Sequence, residues 1–322
     1  MSLLVLGARE VEALLDMGEC VAAMEELLAA LARGELHQPL RQMIRPPDTD
    51  TLFGLMPVYR GGDRPLFALK EIVVAPENPK LGLDSHQGGV LLHDGRTGEL
   101  VAVVNASPIT AIRTAAVSAV ATRRLAHPGA RRVAILGAGV QARAHVDAMR
   151  TVLDDPDIRI WSRTPDHAAE LAAELGVAVS PDAERAVDGA EVICTVTTSR
   201  EPIIERAWLH DGAHINAVGS SSPSARELDT ATVADASVFV DRRESALHEA
   251  GDLIIPLNEG AIGEGHIRAE LGDVLIGRHP GRERADELTV FESLGIGAED
   301  LAAAELVVRL ARKRGIGTEI DF

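Results

Sequence analysis

Apolar residues near the start of the chain recur at helical spacing. Val11, Leu14, Leu15, Val21, Met24, Leu27, Leu28 and Leu31 predict one amphipathic helix over residues 9–33, or two with a break at Gly18. From about residue 39 to 104 the pattern changes to short apolar runs between turn residues. Leu52–Val58, Leu66–Ala75, Gly89–His93 and Leu100–Val104, punctuated by Gly61-Gly62-Asp63 and Asp94-Gly95, predict strands of a mixed or antiparallel sheet. Ser107-Pro108 then predicts a long helix, with Ser as N-cap and Pro in its first position, running to about Leu125 and ended by His127-Pro128-Gly129.

From Arg131 onward strands and helices alternate: Arg132–Leu136, Val140–Leu153, Ile158–Ser162, Pro165–Leu175, Glu191–Thr195, Ala213–Val218 and Ser237–Val240. This rhythm predicts a doubly wound parallel sheet. Residues 244–298 are irregular and Gly-rich with short helical pieces, and Asp300–Arg314 reads as one more amphipathic helix ending before Gly315. A chain of 322 residues exceeds one ordinary core, so two domains are expected.

Within the alternating region, the run Val133–Leu136 breaks into Gly137-x-Gly139-x-x-Ala142 and then into helix-forming sequence, a dinucleotide-binding fingerprint in strand–turn–helix context. The glycines permit a tight turn and close backbone approach to a pyrophosphate, while the next helix offers its N-terminus to the negative charge. Gly137, Ala138, Gly139, Val140 and Gln141 are expected to line that pyrophosphate. Further on, where an NAD site places Asp or Glu for the ribose 2′-hydroxyl, the chain has Ser162, Arg163 and Thr164, suited to a 2′-phosphate. NADPH is therefore the expected cofactor, and Thr197 and Val218 are included in the expected cofactor-binding set.

Composition narrows the class of partner. With 46% hydrophobic and 25% charged residues the chain is an ordinary globular α/β protein, and a net charge of −17 argues against nucleic acid or an anionic membrane surface. A small anionic ligand held by local positive charge remains compatible with that field. Cys20 and Cys194 form no metal-type or redox pattern and read as reduced structural thiols. The N-terminal segment lacks the basic start of a signal peptide, and no window approaches the roughly 18 apolar residues of a membrane span, so a cytoplasmic protein is expected.

Of the 32 basic residues only three are lysines, at positions 70, 80 and 313. Lys70 lies in the apolar run LFALKEIVVA, where it is either a desolvated amine with a lowered pKa or a strand-edge side chain whose head reaches water. Thr110, Arg113 and Thr114 share a helix face at i, i+3, i+4, an arrangement suited to a carboxylate or phosphate; otherwise Arg113 is a surface residue paired with an acid. Arg45 follows Arg41 by four residues before a Pro-Pro turn, and Asp84-Ser85-His86-Gln87 forms a polar loop. His210 and His214 stand four apart, but Asp211-Gly212 breaks any helix between them, so no metal site is expected. Gly219-Ser220-Ser221-Ser222-Pro223 lacks the elbow of a serine nucleophile.

Taken in order, GLMPVYR, FALKEIVV, LDSHQGGVLL, ITAIRTAAVSAVAT, VAILGAGVQARAH, RIWSRT, HINAVGSSSPSARELD and TVFESLG resemble the ornithine cyclodeaminase/mu-crystallin family. The resemblance runs from about residue 40 to the C-terminal helix. It implies an α/β homodimer in which a Rossmann doubly wound parallel sheet, residues 119–298, is inserted into a second α+β domain for substrate binding and dimerisation. That second domain would comprise residues 1–118, completed by the C-terminal helix 299–322. The resemblance makes Lys70 the catalytic, substrate-contacting lysine and Arg113 and Arg45 the arginines for a substrate carboxylate. It adds Ser85, His86 and Thr114 to the cofactor-binding positions.

Members of this family divide by chemistry. Cyclodeaminases carry an acid in the stretch after NAVG, as do the archaeal alanine dehydrogenases, and this chain has Ser221 there. Cyclodeaminases also tend to carry a Glu just before the LMP segment, where this chain has Gly54. Oxidising an amino acid requires a base to strip its ammonium, whereas a cyclic imine can be protonated before hydride arrives and needs none. The resemblance is therefore nearest the mu-crystallin-like ketimine reductases, with a cyclic imino acid such as pyrroline-2-carboxylate or piperideine-2-carboxylate as substrate and proline or pipecolate as product. Alternatives are an ornithine or lysine cyclodeaminase that recycles bound NAD, an amino-acid dehydrogenase, and a non-catalytic NADPH-dependent binding protein.

Overall fold

The chain starts with a strand that alternation could not reveal. In the computed structural model, which describes residues 2–322, β1 (Ser2–Leu6) is mostly buried and reads as a continuous apolar run. Helices α1 (Ala8–Leu14) and α2 (Met17–Ala32) follow. The break between them falls before Gly18, because the Asp16 carboxylate accepts the Glu19 N–H at 3.0 Å and caps α2. Strands β2 (Leu36–His37), β3 (Gln42–Ile44), β4 (Leu52–Arg60), β5 (Leu66–Val74), β6 (His86–Asp94) and β7 (Leu100–Asn105) come next. Neighbouring strands from β4 to β7 pair antiparallel, while β7 pairs parallel with β1.

Helix α3 (Ala106–Leu125) begins one residue before the expected cap. Asn105 Oδ1 accepts the Ser107 N–H at 3.1 Å, which frees the Ser107 hydroxyl to donate to Asp84. The chain divides into two compact units, residues 1–113 with 295–322, and residues 114–294, so α3 runs from the first into the second.

The second unit is the alternating region. It contains β8 (Arg132–Leu136), α4 (Val140–Val152), β9 (Asp157–Trp161), α5 (Pro165–Leu175), β10 (Ala178–Val179), α6 (Ala183–Val187), β11 (Val192–Thr195) and β12 (His214–Ala217). Then come α7 (Thr230–Asp235), β13 (Ser237–Val240), α8 (Arg243–Glu249), α9 (Gly251–Asn258), β14 (Ile267–Glu270), α10 (Leu271–Leu275) and β15 (Thr289–Glu292). Its strands pair in the order β10-β9-β8-β11-β12-β15-β13-β14, all parallel. The direction of winding reverses between β8 and β11, the place where open α/β sheets of this kind bind nucleotides beyond their strand ends. The segment that read as irregular supplies two of these strands, β14 and β15.

The first unit is completed by α11 (Gly297–Arg314) and β16 (Thr318–Asp321). Helix α11 packs across β4, β5 and β6 and against α2, and β16 pairs antiparallel with β1. Alternation along β4–β7 sends Met56, Val58, Ala68, Lys70, Val90 and Leu92 to the buried side under α11. On the opposite face Leu55, Tyr59, Phe67, Leu69, Leu91 and Val103 remain partly exposed. Among the described residues no helix is long and apolar enough to cross a membrane.

Candidate active site and dinucleotide-binding loops

The first unit buries two cations against two acids. Lys70 stands mid-strand in β5, flanked across the sheet by Met56 on β4 and Val90 on β6, which points its side chain under α11. Asp300, in the first turn of that helix, accepts from Lys70 Nζ at 3.1 Å. The same oxygen, Oδ1, accepts from Arg113 Nε at 3.1 Å, while Arg113 Nη1 donates to Glu299 at 2.7 Å. All four side chains are at most 4% exposed. The first turn of α11 is fixed by Gln38, whose Oε1 accepts the Ala298 N–H at 2.7 Å.

The Lys70 ammonium is lowered from its usual 10.5 to about 8: burial is the main cause and Arg113 adds to it, while Asp300 and Glu299 oppose the fall. The residue is thus charged at neutral pH and able to give up its proton a little above it. His86, at the start of β6, feels both cations and the Asp84 carboxylate, and its Nδ1 lies 2.9 Å from the Ser85 hydroxyl. Arg45 is exposed at the end of β3, a strand paired with β4, and lies outside the buried quartet. Gly54, where cyclodeaminases tend to have Glu, is packed: a Cβ there would meet Met43 Sδ at 3.2 Å and Ile72 Cγ2 at 3.3 Å.

The second unit presents its fingerprint at the winding reversal. Gly137 follows β8 with φ +132°, and a Cβ on it would stand 2.7 Å from the Val196 carbonyl oxygen, so no other residue fits that turn. Gly139 caps α4, and a Cβ there would meet nothing within 4 Å, leaving its side of the turn open to a ligand. Ala138 completes the turn, while Val140 and Gln141 form the first turn of α4, Val140 with 60% of its surface exposed. Strand β9 ends at Trp161; Ser162, Arg163 and Thr164 follow, with Arg163 and Thr164 exposed, and the next acid, Asp166, is already inside α5. These residues fit a nicotinamide dinucleotide.

Past β11 and β12, one buried carboxylate ties two loops together. Glu227 accepts the Thr197 N–H at 2.7 Å, the Thr197 hydroxyl at 2.6 Å and the Gly219 N–H at 2.7 Å. Val218 is held by its N–H to the Thr195 carbonyl at 3.0 Å. Behind Glu227, Asp252 Oδ1 accepts the Glu227 and Leu228 N–H groups, and the Asp252 N–H donates to Ser220 Oγ at 2.9 Å. Ser221, the next residue, is exposed on this loop. Thr114 is buried on α3.

Sequence reasoning singled out Lys70 and Arg113, which the structure brings together, but missed the acids beside them: Asp300, which joins the two, and Glu299, which holds Arg113. Glu299 and Asp300 occupy the first turn of a helix, where acids are common because they complement the dipole, so their burial left no mark in the pattern. Glu227 and Asp252 were missed for a related reason: most of their partners are backbone N–H groups, which carry no sequence signature.

Comparison with known proteins identifies the family. The family model described as "Ornithine cyclodeaminase/mu-crystallin family" matches residues 1–314. The chain is 40% identical over 292 residues to the ketimine reductase mu-crystallin of Mus musculus, covering 89% of this chain and 90% of that protein. It superposes at a TM-score of 0.94, with 36% identity, on Thermococcus litoralis Delta(1)-pyrroline-2-carboxylate reductase in complex with NADH and L-proline, covering 98% of this chain and 100% of the other. An archaeal alanine dehydrogenase dimer with bound NAD gives the same TM-score of 0.94 at 30% identity, with 100% of both chains covered. The chain belongs to the ornithine cyclodeaminase/mu-crystallin family.

Proposed function

We propose that this chain is an NADPH-dependent reductase of cyclic ketimine carboxylates, converting pyrroline-2-carboxylate or piperideine-2-carboxylate to proline or pipecolate. The observation that carries the reading is the buried pair of Lys70 and Arg113 on one carboxylate oxygen, an acid held beside an anion-binding group. Arg113, with Arg45 as second arginine, binds the substrate carboxylate and orients the ring. The Lys70 ammonium gives a proton to the ring nitrogen, and the amine left behind takes one back from water. Bound NADPH supplies the hydride that reduces C2. Gly137–Gln141 hold the pyrophosphate, with Thr197, Val218, Ser85, His86 and Thr114 at the rest of the cofactor. Ser162, Arg163 and Thr164 select the 2′-phosphate.

Ser221 and Gly54 bear on which chemistry of the family the site supports. Neither position holds the carboxylate that cyclodeaminases carry there, so reduction of a C=N bond is favoured over ammonia release. The enzyme acts as a homodimer, and the half-exposed apolar face of β4–β7 supports pairing of two copies. We place it in the cytoplasm, in keeping with two buried, free cysteines.

The deciding experiment follows NADPH and NADH oxidation with pyrroline-2-carboxylate, piperideine-2-carboxylate and pyruvate plus methylamine, in wild type and Arg163→Ala. Turnover of the cyclic ketimines with a preference for NADPH is expected, and the preference should fall about 10- to 100-fold in the variant, the worth of a charge-assisted contact. Ammonia released from ornithine without net cofactor consumption would instead establish the cyclodeaminase, and an unchanged preference in Arg163→Ala would remove Arg163 from the cofactor site.

A further inference from the structure

We propose that Asp300 is a positioning residue for this reaction: its Oδ1 ties the Lys70 ammonium to the Arg113 guanidinium, fixing the proton donor relative to the carboxylate clamp. This inference rests on the ketimine-reductase reading. Two hydrogen bonds of 3.1 Å converge on that one atom from residues 230 and 187 positions away in sequence. Asp300 is itself 1% exposed, and the helix that carries it is anchored at its first turn through Ala298 and Gln38. Glu299 bonds Arg113 Nη1 and acts on Lys70 through its charge, whereas Asp300 bonds both guanidinium and ammonium through one oxygen.

The link has an electrostatic consequence. Groups acting on Lys70 are Asp300 and Glu299 from α11 and Arg113 from α3; His86 on β6 feels the charge of both cations, and Cys20 on α2 that of Arg113 and Glu299. Of these, Asp300 is the strongest influence holding Lys70 in its charged form against burial. Neutralising Asp300 leaves burial and Arg113 less opposed, so Lys70 loses its proton at lower pH and the donor form is depleted under working conditions.

With three lysines in the chain, Lys70 can be read directly by carbon NMR of the lysine Cε after 13C labelling, its signal identified by its loss in Lys70→Arg. In Asp300→Asn the Lys70 pKa should fall by about one unit or more, and the alkaline limb of kcat/KM should move down with it. Activity should then drop about tenfold more at pH 9 than at pH 6 relative to wild type. Glu299→Gln should raise KM while moving the Lys70 pKa less. If Asp300→Asn does not fold, as judged by circular dichroism and cofactor binding, Asp300→Ser carries the same expectation. An unmoved Lys70 pKa overturns the proposal, as does a moved pKa with an unmoved kinetic limb. If wild type turns over no cyclic ketimine, the functional reading fails; if it does and the limb stays put, only the role of Asp300 fails.

Discussion

Glu227, Asp252 and Glu292 illustrate what burial does to a carboxyl group according to its company. Burial raises the pKa of Glu227, opposed by the Thr195 and Thr197 side chains and by the Thr197 and Gly219 N–H groups. Asp252 is pushed from 3.8 up to about 7, first by burial and then by the charge of Glu227, although backbone N–H groups and Ser220 oppose the rise. Glu292, whose two oxygens accept no hydrogen bond among the described residues, is raised well above the usual range by burial and by Asp252, Glu227 and Asp241. The folded protein keeps a proton on Asp252 up to about pH 7, while the unfolded chain releases it near 3.8. Folding therefore takes up a proton across that window, and the stability this group contributes at acid pH is lost as pH rises from about 3.8 to about 7. Asp252→Asn keeps an acceptor for the Glu227 and Leu228 N–H groups and removes the titration. Its loss of melting temperature between pH 5 and pH 8 should be smaller than that of wild type; equal losses would mean that Asp252 ionises normally in the fold.

At the scale of elements, the join between β15 and α11 controls the quartet. Gly295 has φ +71°, and a Cβ on it would stand 2.3 Å from Arg113 Nη1. Gly295→Ala should cost about 1–2 kcal/mol through the left-handed backbone alone. It should also displace Arg113, raising KM for the ketimine about tenfold or more through loss of a charge-assisted contact. Gly315→Ala is the control, because Gly315 has φ +65° and nothing within 4 Å of the added Cβ. It should show the stability loss with KM unchanged; a matching rise in KM would separate Gly295 from Arg113. The elements themselves differed in how far they could be read. Strands β8, β9, β11, β12 and β13 were legible because each is a short apolar run in an alternating strand–helix rhythm, whereas the two-residue β10 left no such run. β15 and β14 were not legible, since short strands buried among Gly-rich turns carry neither alternation nor helical period. Helix α11 was legible from its periodicity, but its first turn was not, because GAE has no apolar stripe and takes its place from packing. Likewise Lys70 stood out as a cation in an apolar run and Arg113 through the helix face it shares with Thr110 and Thr114 and the family resemblance, while the acids beside them looked like ordinary helix-start residues.

At the scale of the whole molecule, the face of β4–β7 turned away from α11 matters most. A sheet covered on one side normally turns polar side chains outward, yet this one presents Leu55, Tyr59, Phe67, Leu69 and Leu91 in a chain with a net charge of −17. Leu69 sits in the middle of β5, opposite Pro57 and Leu91, on the face away from Lys70. Leu69→Lys should halve the mass measured by light scattering in solution while circular dichroism stays unchanged; a mass that does not move would exclude this face as the dimer interface.

The pairing of β1 with β16 and of Lys70 with Asp300 also orders events in time. Residues 114–294 form one uninterrupted stretch and can fold as they leave the ribosome, whereas the first unit waits for its last strand. Lys70 and Asp300 are 230 residues apart, which at ordinary translation speeds is roughly 10–50 s of synthesis. Through that interval Lys70 lacks its counter-ion, and the second unit, which ends at Leu294, is itself complete only about six residues before Asp300 is made. A product that stops earlier than Asp300 therefore leaves Lys70 and Arg113 without the acid that joins them.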